Sequence, residues 1–163
     1  MIFPAVANIA TYFSPDEDTD SVFLDYIAQT KTHLRIAVYG FHLPKLTDLL
    51  IILHRKGVDV AVVCDHIQAR GKAEIIEIEK LLAAGVKLVE GTSQKHKIMH
   101  HKFAVRDKTT VLSGSWNFSL SAGEESNYFD IIEHEARSDR FLQIWQEMYD
   151  WITTHEEQYQ ERM

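Results

Sequence analysis

The sequence predicts an α/β domain in which helices are layered on both faces of a mixed, mostly buried β-sheet. Three observations carry that prediction. Leu34–Tyr39 and Val58–Cys64 are near-continuous apolar runs, the pattern of strands covered on both faces. The stretches beside them place apolar residues at helical spacing and end at Gly57 and Gly85. The β-α-β-α-β alternation continues without internal repeat or low-complexity linker, so residues 1–163 read as one domain with layered architecture.

Taken in order, residues 1–20 form an N-terminal segment and an acidic loop. MIFPAVANIATYF is apolar, but the first basic residue is Lys31, so the positive flank of a secretory signal is missing. The run is also too short to span a bilayer. It reads as a strand or packing segment of a cytoplasmic protein with no stable membrane association. Asp16 to Asp20 is a loop whose acids favour the start of a helix. Asp20 or Ser21 is the candidate cap, and Val22/Tyr26 and Phe23/Ile27 give the helical pairs. Pro44 starts a second helix with Leu46, Leu49, Leu50 and Leu53 on one face.

Asp65 to Gly71 is a polar connection at the C-terminal end of a strand, where open α/β sheets place their binding loops. Residues 73–84 read as a helix, Val86–Val89 as a strand and Tyr128–Ile132 as another. Ser138 opens a C-terminal helix over 138–163, with Phe141, Trp145, Met148 and Ile152 as its apolar face. Cys64, the only cysteine, excludes an intrachain disulfide framework and reads as a small buried hydrophobe.

The formal net charge of −7 counts against a protein that binds nucleic acid through bulk electrostatics. Lys95, Lys97, Lys102, Arg106 and Lys108 nevertheless gather with His96, His100 and His101 around one acid, Asp107. If this segment is a strand, His100, Lys102 and Ala104 share one face, while Met99, His101, Phe103 and Val105 face an apolar layer. The alternation selects His100 as the functional imidazole and His101 as packing. A second strand, Thr110–Leu112, returns Ser115 and Asn117 towards His100. His96, His100 and His101 could instead be a zinc set, but the lysines around them disfavour a cation and neither HExxH nor CxxC accompanies them. Trp116 has two readings, a stacking platform for a base or ring and a wall of the site.

The spacing H-x-K-x4-D followed by x6-G-S-x-N, read here as His100, Lys102, Asp107, Gly114, Ser115 and Asn117, resembles the HKD signature of the phospholipase D superfamily. LRIAVYGF, RKGVDVAVVCD, ARGKAEIIEIEKLLAAGVKLV and GSWNFS are similar to its short bacterial endonuclease branch, which carries one motif per chain. The resemblance implies a phospholipase D-like α/β/α fold and a phosphodiesterase that needs neither metal nor cofactor. His100, Lys102, Asp107, Ser115 and Asn117 would be the catalytic set, with Asp107 supporting. Lys95, Lys97, Gly114 and Trp116 would bind substrate.

One motif per chain implies a C2 homodimer in which two copies of His100 serve as nucleophile and general acid. The implied substrate is DNA or RNA, with single strands favoured. A phospholipid diester is the alternative, and a phosphate-binding dimer without catalysis is a third reading. The chain departs from the branch at one point. A glutamate that orients the imidazole usually stands just before the asparagine corresponding to Asn127. Here Ser126 stands there, with Glu125 one residue further back.

Overall fold

The computed structural model describes residues 7–158. In chain order the elements are β1 (Asn8–Ser14), α1 (Thr19–Ala28), β2 (His33–Val38), β3 (Phe41–His42), α2 (Pro44–Arg55), β4 (Asp59–Asp65), α3 (His66–Ala69), α4 (Glu74–Ala83), β5 (Lys87–Gly91), β6 (Lys102–Arg106), β7 (Thr110–Gly114), β8 (Phe118–Ser119), β9 (Asn127–Glu133) and α5 (Glu135–His155). Seven strands form one sheet in the order β1-β9-β7-β6-β2-β4-β5, and β3 and β8 pair separately. β2 is parallel to β4 and antiparallel to β6, so the sheet is mixed as expected.

The two faces of the sheet carry separate apolar layers. Ile36, Val38, Val60, Val62, Ala104 and Leu112 pack with Phe23 and Ile27 of α1, Leu46 and Leu50 of α2, and Leu81 of α4. Ala37, Ala61, Val63, Phe103, Val105 and Val111 pack with Trp145 and Ile152 of α5. Adjacent residues of β2, β4 and β6 thus enter opposite layers, as a pleated strand requires. Near-continuous apolar sequence follows because neither face meets water. Cys64 is fully buried, and burial pushes its thiol well above the ordinary value.

Helix boundaries differ from the sequence expectation where a side chain upstream does the capping. Asp18 caps α1, not Asp20 or Ser21: its carboxylate accepts from the Ser21 backbone N–H at 3.2 Å and the Ser21 hydroxyl at 2.7 Å. α5 begins at Glu135, not Ser138, because His134 Nδ1 accepts from Arg137 N at 3.0 Å. The expected N-terminal segment is in part the edge strand β1, and its first six residues lie outside the described residues, as do the last five of the expected C-terminal helix. Gly57 and Gly85 end α2 and α4 at φ +92° and +86°, where a side chain would be strained.

The β7–β9 pairing leaves no space for a side chain at Gly114. A Cβ there would collide with the Tyr128 carbonyl oxygen and lie 2.8 Å from Phe129 Cα. Gly114→Ala should therefore force β7 away from β9 and lower stability by about 2 kcal/mol or more in urea unfolding. An unchanged midpoint would show that the strands separate freely at that point.

Candidate active site

The site lies at one end of the sheet, where the C-terminal ends of β2, β4 and β7 meet the start of β6. The register Val38↔Lys102 puts the last residue of β2 beside the first of β6. Phe103↔Ser113, continued by one pair, puts Lys102 opposite Gly114. The regular strand begins at Lys102, so His100 and His101 precede it. His101 still extends the ladder, its carbonyl accepting from Tyr39 N at 2.9 Å. Met99 is buried in the α5 layer, and His100 beside it turns outward to solvent.

Lys102 Nζ lies 3.3 Å from His100 Nε2 and donates to the His100 carbonyl at 3.0 Å. An ammonium can only donate, so Nε2 is the acceptor in this contact and the ring proton belongs on Nδ1. Partial burial lowers the Lys102 pKa from its ordinary value. The Tyr39 ring borders both groups: its centroid is 4.7 Å from that of His100, and Lys102 Nζ is 5.3 Å from it. Gly40, next in the chain, donates its N–H to Asn117 Oδ1 at 3.0 Å. Asn117 is thereby fixed beside Tyr39, with its Nδ2 hydrogens left to donate. The two line a polar cleft with His42, Gln68, Lys72, Glu74, Ser119 and Ser121.

Two buried carboxyls support this corner. Asp65 accepts from Met99 N at 2.9 Å through Oδ1 and from Ile67 N and Gln68 N at 3.1 Å through Oδ2. Glu74 accepts from Phe41 N at 2.6 Å, holding the strand that follows Tyr39 and Gly40. Burial, against the Phe41 hydrogen bond and with the Asp65 charge nearby, raises the Glu74 pKa to about 7. None of Tyr39, Gly40, Asp65, Gln68 and Glu74 stood out in the sequence as a site residue. The available signal was the polar stretch Asp65–Gly71 at a strand's C-terminal end.

The other candidates scatter. Asp107 stands at the far end of β6, a five-residue strand, so roughly 16 Å of strand separates it from Lys102. Its carboxylate accepts from Lys31 N, Thr32 N, Thr32 Oγ1 and His33 N. Burial opposes ionisation there, but the backbone donors of Thr32, His33 and Lys31 outweigh it and hold the pKa below the ordinary value. Asp107 organises the loop before β2 and is not brought to the chemistry. Arg106 lies at that end too, over the Tyr26 ring and bonded to its carbonyl, so the basic cluster of the sequence divides in two.

Trp116 is neither platform nor wall. It is 1% exposed among Phe23, Phe118 and Phe129, with Nε1 donating to Thr19 Oγ1. Gly114 serves close strand packing. Ser115 donates to Asn127 Oδ1 and accepts from Tyr128 N, which ties β7 to β9. Glu125 accepts from Asn127 Nδ2, and Ser126 lines a separate cleft with Ser115 and Asn127. Among the described residues, the neighbours recorded for the His100 ring are Lys102 and Tyr39, and no acid.

Lys95 and Lys97 do reach the site. With Ile98, Met99, His100, Ile144 and Met148 they line a groove of about 480 Å³, mainly apolar, beside the catalytic candidates. His101 borders this groove, edge-on to Phe103, and is exposed instead of facing the core. His96 packs against Trp151. Among the described residues no three His, Cys, Asp or Glu side chains gather to hold a metal ion.

Two consequences follow from these carboxyls. A raised folded-state pKa means that the stability Glu74 contributes is complete below about pH 4.5 and is lost as pH rises to about 7. The difference in unfolding free energy between wild type and Glu74→Gln should change across that window and level off above it; a difference flat with pH would contradict the assignment. Asp107→Ala should cost about 1–3 kcal/mol in unfolding free energy and leave kcat of the folded protein unchanged. A large kcat loss at full folding would return Asp107 to the catalytic set.

A family model described as "Cardiolipin synthase, PLD-like domain" matches residues 23–151. The mitochondrial cardiolipin hydrolase of Xenopus laevis is 33% identical over 162 residues, covering 93% of this chain and 74% of that protein. The protein of the same name from Chlamydomonas reinhardtii is 34% identical over 107 residues, covering 66% of this chain and 46% of its own length. The chain thus spans between about half and three quarters of these relatives. Among solved structures, Nuc from Salmonella typhimurium, a phospholipase D family member, superposes with a TM-score of 0.81 at 25% identity, covering 89% of this chain and 95% of that one. The fold, the match over most of the chain and the paired His100 and Lys102 lead to one conclusion: the chain belongs to the phospholipase D superfamily, as a phosphodiesterase of the phospholipase D type.

Proposed function

We propose that this protein is a metal-independent endonuclease of low sequence specificity that cleaves DNA or RNA through a phosphohistidine at a homodimer interface. The observation that carries this reading is the His100–Lys102 pair, 3.3 Å apart at the open end of the sheet, with no ion pair to either among the described residues. An ammonium beside an imidazole nitrogen at one exposed point leaves a place for a phosphate. His100 Nε2 attacks phosphorus, the P–O bond to the leaving strand breaks, and His100 of the partner subunit protonates the departing oxygen. Lys102 neutralises a non-bridging oxygen and Asn117 Nδ2 donates to another. Water, deprotonated by the partner's imidazole, then displaces His100 from phosphorus.

Polymeric substrate is supported by Lys95 and Lys97, which bring two cations to the groove against one acid, Glu147, in an otherwise acidic chain. A cytoplasmic setting accords with this, and among the described residues no helix is long and apolar enough to cross a membrane. A second reading, a phospholipid phosphodiesterase, is favoured by the groove's apolar lining of Ile98, Met99, Ile144 and Met148 and by the names of the curated relatives.

Incubation with labelled single- and double-stranded DNA and RNA in excess EDTA decides between them, with cardiolipin vesicles in parallel. Cleavage of a polymer by wild type, reduced on the order of 10³-fold or more in His100→Ala, is the expected result. Release of phosphatidic acid with no polymer cleavage would transfer the site to lipid. Activity that requires added metal or survives the His100 change would overturn the mechanism.

A further inference from the structure

Ser126 and Glu125, the residues the resemblance offered for orienting the imidazole, both turn to the Asn127 side. What touches the His100 ring instead is Tyr39, and Tyr39 is pinned at two points. Its backbone N–H is bonded to the His101 carbonyl at 2.9 Å, and its hydroxyl accepts from Gln68 Nε2 at 3.0 Å. Gln68 stands on the one-turn helix α3, whose start is held by Asp65 Oδ2. The other oxygen of the same 1%-exposed carboxylate holds Met99 N, one residue before His100. A closed circuit results, running from Met99 through Asp65, Gln68 and Tyr39 to His100.

We propose that Gln68 is a positioning residue for the reaction, acting through Tyr39 to hold the His100 imidazole and Lys102 ammonium in register. Tyr39 is the wall against which both groups rest, and the Gln68 amide prevents that wall from swinging about its Cα–Cβ bond. Asp65 sets both ends of the circuit from one side chain. The inference rests on the reading of His100 as the reacting group. It does not depend on whether the natural diester is a nucleic acid.

The test is a double-mutant cycle of Gln68→Ala and Tyr39→Phe, with two readouts on full-length protein. The first is turnover of bis(p-nitrophenyl) phosphate, a diester with no polymer or lipid character. Each single variant should lose about tenfold in kcat with KM held within about twofold, and the double variant should be no slower than either. The second is the NMR spectrum of the His100 ring protons, which carry the ring-current shift of Tyr39. Both singles should move those resonances in the same direction, towards their position in Tyr39→Leu. Single effects that multiply in the double variant, or His100 resonances unmoved in Gln68→Ala, would overturn the proposal. Failure of the wild type to turn over any diester would remove the functional reading, and the ring-proton shifts would still decide the positioning.

Discussion

The register between β2 and β6, with Val38 opposite Lys102, is the constraint on which the site depends. Side chains alternate along a strand, so a slip of one residue would send Lys102 and Ala104 into the α5 layer and turn Phe103 out. Both apolar layers forbid that slip. Ala104 belongs to the layer that holds Phe23, Leu46 and Leu50, while Phe103 and Val105 belong to the layer that holds Trp145 and Ile152 of α5. Lys102 is the first residue of β6 and half-buried, with its ammonium beside His100 and the Tyr39 ring. Catalytic geometry here is a by-product of core packing on either side of one strand.

Charge is arranged with similar economy. The chain is acidic overall, yet among the described residues the His100 and Lys102 side chains bond to each other, to the His100 carbonyl and to no carboxylate, with the Tyr39 ring beside them. While Glu147 lines the neighbouring groove, two carboxyls of the corner are set back in the protein and occupied, Asp65 with three backbone N–H groups and Glu74 with one. Held in this way they build the corner without neutralising the cation it presents. An incoming phosphate would then meet Lys102 without first displacing a carboxylate, and desolvation of the ammonium strengthens that encounter.

Much of the fold was legible because it rests on periodicities. β2, β4, α2, α4 and the Phe141/Trp145/Met148/Ile152 face of α5 follow from apolar spacing alone, since burial on one face or both leaves a direct trace in composition. The helix starts were misplaced by two or three residues because Asp18 and His134 cap from outside the periodic run. Within the motif, adjacency misled. Asp107 lies five residues from Lys102 but at the opposite end of a straight strand. Trp116 lies between exposed Ser115 and half-buried Asn117 but points into the core.

By itself the sequence determined the layered α/β class and the pairing of His100 with Lys102, because these depend on local spacing along single elements. Only the tertiary structure decided which groups border that pair. Tyr39, Asn117, Gln68 and Asp65 come from the turn after β2, the turn after β7, α3 and β4, and they meet because the ends of those strands are gathered at one end of the sheet. No period in the sequence records that meeting. It is set by strand order and register, which minimise exposed apolar surface over the whole sheet at once, and the side chains at its rim are carried to their places by that packing.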